Sequence, residues 1–136
     1  MSSLKEIEKN KDFAVLIVDN EIKICELIKL FLQASGLFSV IITAQNVVQA
    51  AQKLQNQKFD LMIIDHAMPG KTGLDFMSQL MRTPRLGGMK YILISGCLKR
   101  EDVVKAMAIG AKNVLVKPFG RDQLLRKVFE VLKIPH

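Results

Sequence analysis

Apolar residues gather into five short runs along the chain, and between the runs they recur every three or four positions. Strands are predicted over Phe13–Val18, Ser39–Thr43, the apolar run within Phe59–Gly73 that delivers Asp65, Lys90–Gly96 and Asn113–Lys117, because a short apolar run bounded by turn residues suits a strand buried on both faces. The periodic segments predict helices over Glu21–Ala34, Val47–Asn56, Gly73–Met81, Glu101–Ile109 and Arg121–Leu132. Asn46 suits a helix N-cap, and Gly36 and Gly110 stand where helices end in a left-handed residue. Pro84 with Gly87 and Gly88 marks a return loop. Strand and helix alternate five times, which implies right-handed crossovers and a parallel sheet with helices on both faces.

Length and composition narrow this picture. At 136 residues the chain fits a single domain, 1–136, with residues 1–12 as an N-terminal extension. A mean hydropathy of +0.20 agrees with a sheet covered on both sides. Met1–Asp12 mixes Lys and Glu without the apolar centre of a signal peptide, and no apolar run reaches the ~18 residues of a membrane span, so no membrane insertion and a cytoplasmic location are expected. Cys25 and Cys97 lack metal-site or CxxC spacing and are read as reduced thiols. The formal charge of +7 is uneven: from Lys99 onward nine basic residues face four acidic ones. Without a recognition motif or a set of stacking aromatics, this excess is read as a solvated helical face rather than a nucleic-acid footprint.

Candidate chemistry gathers at one edge. In an open parallel sheet the carboxyl ends of the strands share the ligand-binding edge. The first strand brings Asp19 and Asn20 there, the third Asp65, the fourth Ser95 and the fifth Lys117. Singly, Asp19 could be a cap, Asp65 the start of a turn, Ser95 a turn residue and Lys117 a surface charge. Together they supply a carboxylate nucleophile, oxygen ligands for Mg²⁺ and donors for phosphoryl oxygens.

Leu16-Ile17-Val18-Asp19-Asn20-Glu21, Asp65-His66-Ala67-Met68-Pro69-Gly70 with Gly73, Ile94-Ser95-Gly96, and Gly110-Ala111 followed by Val116-Lys117-Pro118-Phe119 resemble the receiver domain of bacterial two-component response regulators. The resemblance runs from Phe13 to Leu132 and implies a flavodoxin-like sheet of order 2-1-3-4-5. It further implies that Asp65 accepts a phosphoryl group from a histidine kinase or phosphotransfer protein, while Ser95 and Lys117 bind that group. Mg²⁺ would be held by Asp19, Asp65, the position of Asn20 and the backbone carbonyl of Ala67, and the bond from Lys117 to Pro118 would be cis. By the same resemblance the protein is not an enzyme acting on others, but a phosphoacceptor that assists its own Mg²⁺-dependent phosphorylation and dephosphorylation.

Three departures from the family pattern fall at four positions. Asn20 stands where a second acid is usual, which removes one carboxylate from the metal site and predicts weaker Mg²⁺ binding. Val114 replaces the aromatic residue whose ring ordinarily follows the phosphoryl group inward. Ala67 and Cys97 stand where polar side chains orient the attacking water, which predicts a long-lived acyl phosphate. His66 is expected to face solvent, and Met62, Met68, Met77, Met81, Met89 and Met107 to pack rather than form a binding surface.

The leading reading is a single-domain receiver, monomeric or dimerising on phosphorylation. It would signal to an output protein through the fourth helix, fifth strand and fifth helix. The alternative is a degenerate receiver that binds partners without phosphorylation. A flavodoxin would need a Ser/Thr/Gly-rich phosphate loop where Asp19-Asn20-Glu21 stands, and an aspartate phosphatase a second Asp at Ala67.

Overall fold

The computed structural model describes residues 12–134, so most of the expected N-terminal extension, and His136, lie outside the described residues. The order is β1 (Phe13–Val18), α1 (Ile22–Ser35), β2 (Phe38–Ala44), α2 (Val47–Asn56), β3 (Leu61–Asp65), α3 (Gly73–Met81), β4 (Lys90–Ser95), α4 (Arg100–Ala108), β5 (Val114–Val116) and α5 (Arg121–Leu132). One 3-10 turn, Pro84–Leu86, fills the return loop. All strand pairs are parallel, and the order is β2-β1-β3-β4-β5, that of a flavodoxin-like sheet.

Strand alternation divides the interior in two. Leu16, Val18, Met62, Ile64 and Leu93 face one side, where Ala50 and Leu54 of α2, Leu74 and Met77 of α3, and Ala106 of α4 cover them. Val15, Ile17, Leu61, Ile63, Ile92 and Ile94 face the other, under Cys25, Ile28 and Leu32 of α1 and Leu124 and Val128 of α5. Every residue of β3 is buried, which explains the unbroken apolar run from Leu61 to Ile64 ahead of Asp65.

The helix ends follow local chemistry. The Asn46 side chain accepts the Gln49 N–H at 2.8 Å, as its position predicts, and Gly36 ends α1 with φ of 71°. Thr72 caps α3 by accepting the Asp75 N–H at 3.2 Å. β5 is only three residues long, pairing with Leu93, Ile94 and Ser95 up to the point where β4 itself ends. Among the methionines, Met62, Met68, Met77 and Met89 are buried as expected, but Met81 and Met107 are exposed, Met107 to 76%. Met81 is the last residue of α3, and Met107 lies on α4, where Ala106 is the one buried residue and Val103, Val104 and Met107 all face outward.

Candidate functional site

β1 and β3 are central neighbours, so their carboxyl ends deliver Asp19 and Asp65 side by side, each almost wholly buried. β5 ends one residue before Lys117, whose backbone N–H donates to the Ser95 carbonyl and whose peptide bond to Pro118 is cis. Lys117 Nζ lies 3.1 Å from Asp65 Oδ1 and 3.4 Å from Asp19 Oδ2. One half-buried ammonium therefore serves two carboxylates, leaving a net negative charge in a site closed to water on most sides.

The remaining polar atoms are partly committed. Asp19 Oδ1 accepts the Glu21 N–H at 2.9 Å, which fixes the carboxylate and opens the turn into α1. Ser95 is buried, and its hydroxyl oxygen accepts the Cys97 N–H at 3.2 Å. Asn20 and Ala67 are exposed. Val114 begins β5, half-buried against the core beneath α2, α3 and α4. Of the two thiols, Cys25 is buried and points at the Asp19 carbonyl, whereas Cys97 is exposed.

Burial, then the neighbouring Asp19 charge, push the Asp65 carboxyl above its ordinary range against the pull of Lys117. For Lys117, burial works against the ammonium, but the bond to Asp65 and the charges of Asp19 and Asp65 outweigh it and raise its pKa. Both shifts describe a site with one negative charge too many. A hard divalent cation with oxygen ligands is the complement of that donor set. Asp19 and Asp65 fit it, although among the described residues no cluster of three or more His, Cys, Asp or Glu side chains stands ready to hold a metal.

The backbone around Asp65 has no slack. A Cβ at Gly73 would come within 2.5 Å of the Asp65 carbonyl oxygen and 2.9 Å of His66 Cα, so glycine lets the start of α3 pack directly on the end of β3. The Gly73 N–H donates to the His66 carbonyl at 2.9 Å.

The expectation for His66 is corrected. It is 6% exposed rather than solvent-facing, with Nδ1 accepting the Leu74 N–H at 3.4 Å and Nε2 at 3.4 Å from Asp102 Oδ2. Strand parity carried the signal: His66 continues the Met62, Ile64 series into the core beneath α3 and α4, while Asp65 turns the other way.

Residues 15–129 match the family described as the response regulator receiver domain. The chain is 30% identical over 126 residues to the chemotaxis protein CheY-3 of Vibrio cholerae serotype O1, covering 90% of this chain and 96% of that one. It is 32% identical over 119 residues to the chemotaxis protein CheY of Listeria monocytogenes serovar 1/2a, covering 88% and 98%. The high-resolution structure of the chemotaxis response regulator CheY4 of Vibrio cholerae superposes with a TM-score of 0.78 at 30% identity, covering 88% of this chain and 99% of that one.

Proposed function

The chain belongs to the response regulator receiver domain family, and from that premise we propose that it accepts a phosphoryl group on Asp65 within two-component signalling and passes the state on by protein–protein contact. The observation that carries this reading is the placement of Lys117 Nζ 3.1 Å from Asp65 and 3.4 Å from Asp19, in a site whose remaining charge is negative.

In the proposed reaction an Asp65 carboxylate oxygen attacks the phosphorus of a phosphohistidine on a histidine kinase or phosphotransfer protein. A P–O bond forms, the P–N bond breaks, and the imidazole leaves with its electron pair. Lys117 offers an ammonium to the transferred group from its position against Asp65, and the Ser95 hydroxyl, at the end of the adjacent strand, supplies a donor when it turns from Cys97. Receiver domains generally bind Mg²⁺; here it would be held by Asp19, Asp65, the Ala67 carbonyl and the carboxamide oxygen of Asn20, and would neutralise phosphoryl charge. With Asn20 in place of an acid, binding would be weak. The protein is thus a phosphoacceptor assisting its own modification, rather than an enzyme acting on other substrates. No polar side chain at Ala67 or Cys97 matches those that orient water in relatives, so the acyl phosphate is long-lived.

The output surface in this reading is α4, β5 and α5, where Val103, Val104, Met107 and Val116 are exposed among Arg100, Lys105, Arg126 and Lys127. That composition favours an acidic partner with an apolar face, or a second copy of the chain after phosphorylation. Location in the cytoplasm goes with this role; among the described residues no helix is long and apolar enough to cross a membrane.

Beryllofluoride with Mg²⁺, followed by amide NMR, tests the proposal. Shifts at Ser95, Gly96 and Lys117 that vanish in Asp65→Asn are expected. An unresponsive wild-type site would leave the second reading, a phosphorylation-independent interaction module, which Asn20 and Val114 favour.

A further inference from the structure

With valine at position 114, the site lacks an aromatic side chain there to carry its state toward the surface, yet a polar route leaves it in a different direction. Asp65 and His66 share a peptide bond, and their side chains leave opposite faces of the sheet. The His66 N–H donates to the Ile94 carbonyl at 2.8 Å, and its own carbonyl accepts the N–H groups of Met68 and Gly73. Packing of Gly73 against the Asp65 carbonyl removes the free volume that would let this segment move without its neighbours.

The His66 ring then reaches two helices. Its Nδ1 accepts the Leu74 N–H in the first turn of α3, which leaves Nε2 to face Asp102 Oδ2 at 3.4 Å. That same Asp102 oxygen accepts the Lys99 N–H at 3.1 Å, closing the N-terminal cap of α4. The imidazole and the cap therefore converge on one atom.

α4 is the helix that such a link can move. It buries only Ala106, whereas α1 buries Cys25, Ile28 and Leu32. Its polar tie to α3 itself is the exposed Lys105–Asp75 pair at 2.8 Å. A helix with one buried residue is placed chiefly by such polar contacts and by its connecting loops, and two placements can differ little in free energy.

We propose that His66 is a positioning residue that couples the state of Asp65 to the placement of α4 through its contact with the Asp102 carboxylate. This rests on the reading of Asp65 as phosphoacceptor. Charge added at Asp65 pulls on the Asp65–His66 backbone, the ring shifts against Asp102, and the α4 cap follows.

The test compares wild type, His66→Leu and His66→Gln, each titrated with beryllofluoride and Mg²⁺. Amide NMR reads two groups of residues: Ser95, Gly96 and Lys117 at the site, and Val103, Val104 and Met107 on α4. In wild type both groups shift. In His66→Leu the site shifts persist while those on α4 shrink several-fold, and His66→Gln, which keeps one acceptor and one donor, restores most of the α4 response. Asp102→Ala cuts the link from the other end at a half-exposed position and gives the same split if leucine at 66 prevents folding. Undiminished α4 shifts in His66→Leu or Asp102→Ala overturn the inference while leaving the phosphoacceptor reading in place. A wild type silent at the site overturns both.

Discussion

Burial of Asp65 and the adjacent Asp19 charge hold its carboxyl above the ordinary range, so in the folded protein its negative charge is disfavoured relative to the unfolded chain. Between the ordinary and the raised pKa the folded state binds more protons than the unfolded state, and stability therefore falls as pH rises through that window. Asp65→Asn removes the charge and keeps the shape. It is expected to stabilise the protein at neutral pH by about 1 kcal/mol, or roughly 4 °C in Tm, as at other sites that trade stability for activity. Thermal scans without divalent cation check this, and the advantage of asparagine should shrink as pH falls and Asp65 protonates. Asn20→Asp acts in the opposite electrostatic sense by adding a carboxylate at the exposed mouth of the site. The Mg²⁺ concentration for half-maximal labling by a small-molecule phosphodonor is expected to drop about tenfold, the effect of one added charge partly screened by water. At this scale Asp19, Asp65 and Lys117 were legible from the sequence, because each follows a strand and parallel strands end together. The burial of His66 is written in parity and not in residue type: two residues beyond Ile64, its imidazole belongs to the core.

Elements were legible wherever burial wrote a long pattern. α1 and α5 each bury three residues at helical spacing, and both ran close to their predicted bounds. β5 is shorter than expected because its ladder stops where β4 ends at Ser95, and the end of a neighbouring strand is not encoded in local composition. The Thr72 cap is masked in the sequence by the neighbouring Pro69, Gly70 and Gly73 turn signals, although Thr is a good N-cap residue. Gly73 itself joins two elements. Gly73→Ala places a Cβ 2.5 Å from the Asp65 carbonyl oxygen, a backbone atom that cannot step aside. Urea unfolding is expected to show a loss of about 2–3 kcal/mol, the usual consequence of overpacking, despite the higher helix propensity of alanine. A neutral or stabilising outcome would mean that α3 can slide on β3, contrary to the close packing described above.

Across the whole molecule, the sheet separates two apolar layers and gathers polar chemistry along one edge. The charge of +7 sits on that frame unevenly, with Arg100, Lys105, Arg126 and Lys127 on α4 and α5. Such a surface attracts any polyanion at low ionic strength, and the attraction fades once salt shortens the Debye length to about 8 Å. Retention on duplex DNA is accordingly expected at low salt and lost at about 0.15 M, with no preference among sequences. Binding that survives salt would give the basic face a nucleic-acid role instead.

The contrast between the two cysteines has a practical side. Cys25 is 1% exposed, and burial raises its pKa, which keeps it a thiol rather than the reactive thiolate. Cys97 is exposed, two residues past Ser95 in the loop that leads into α4, and its N–H rests on the Ser95 hydroxyl. A maleimide fluorophore added to the folded wild-type protein would therefore attach at one address, with no cysteine engineered in or out. That address adjoins the hydroxyl that must turn toward a phosphoryl group, so the natural sequence supplies its own optical probe of the site.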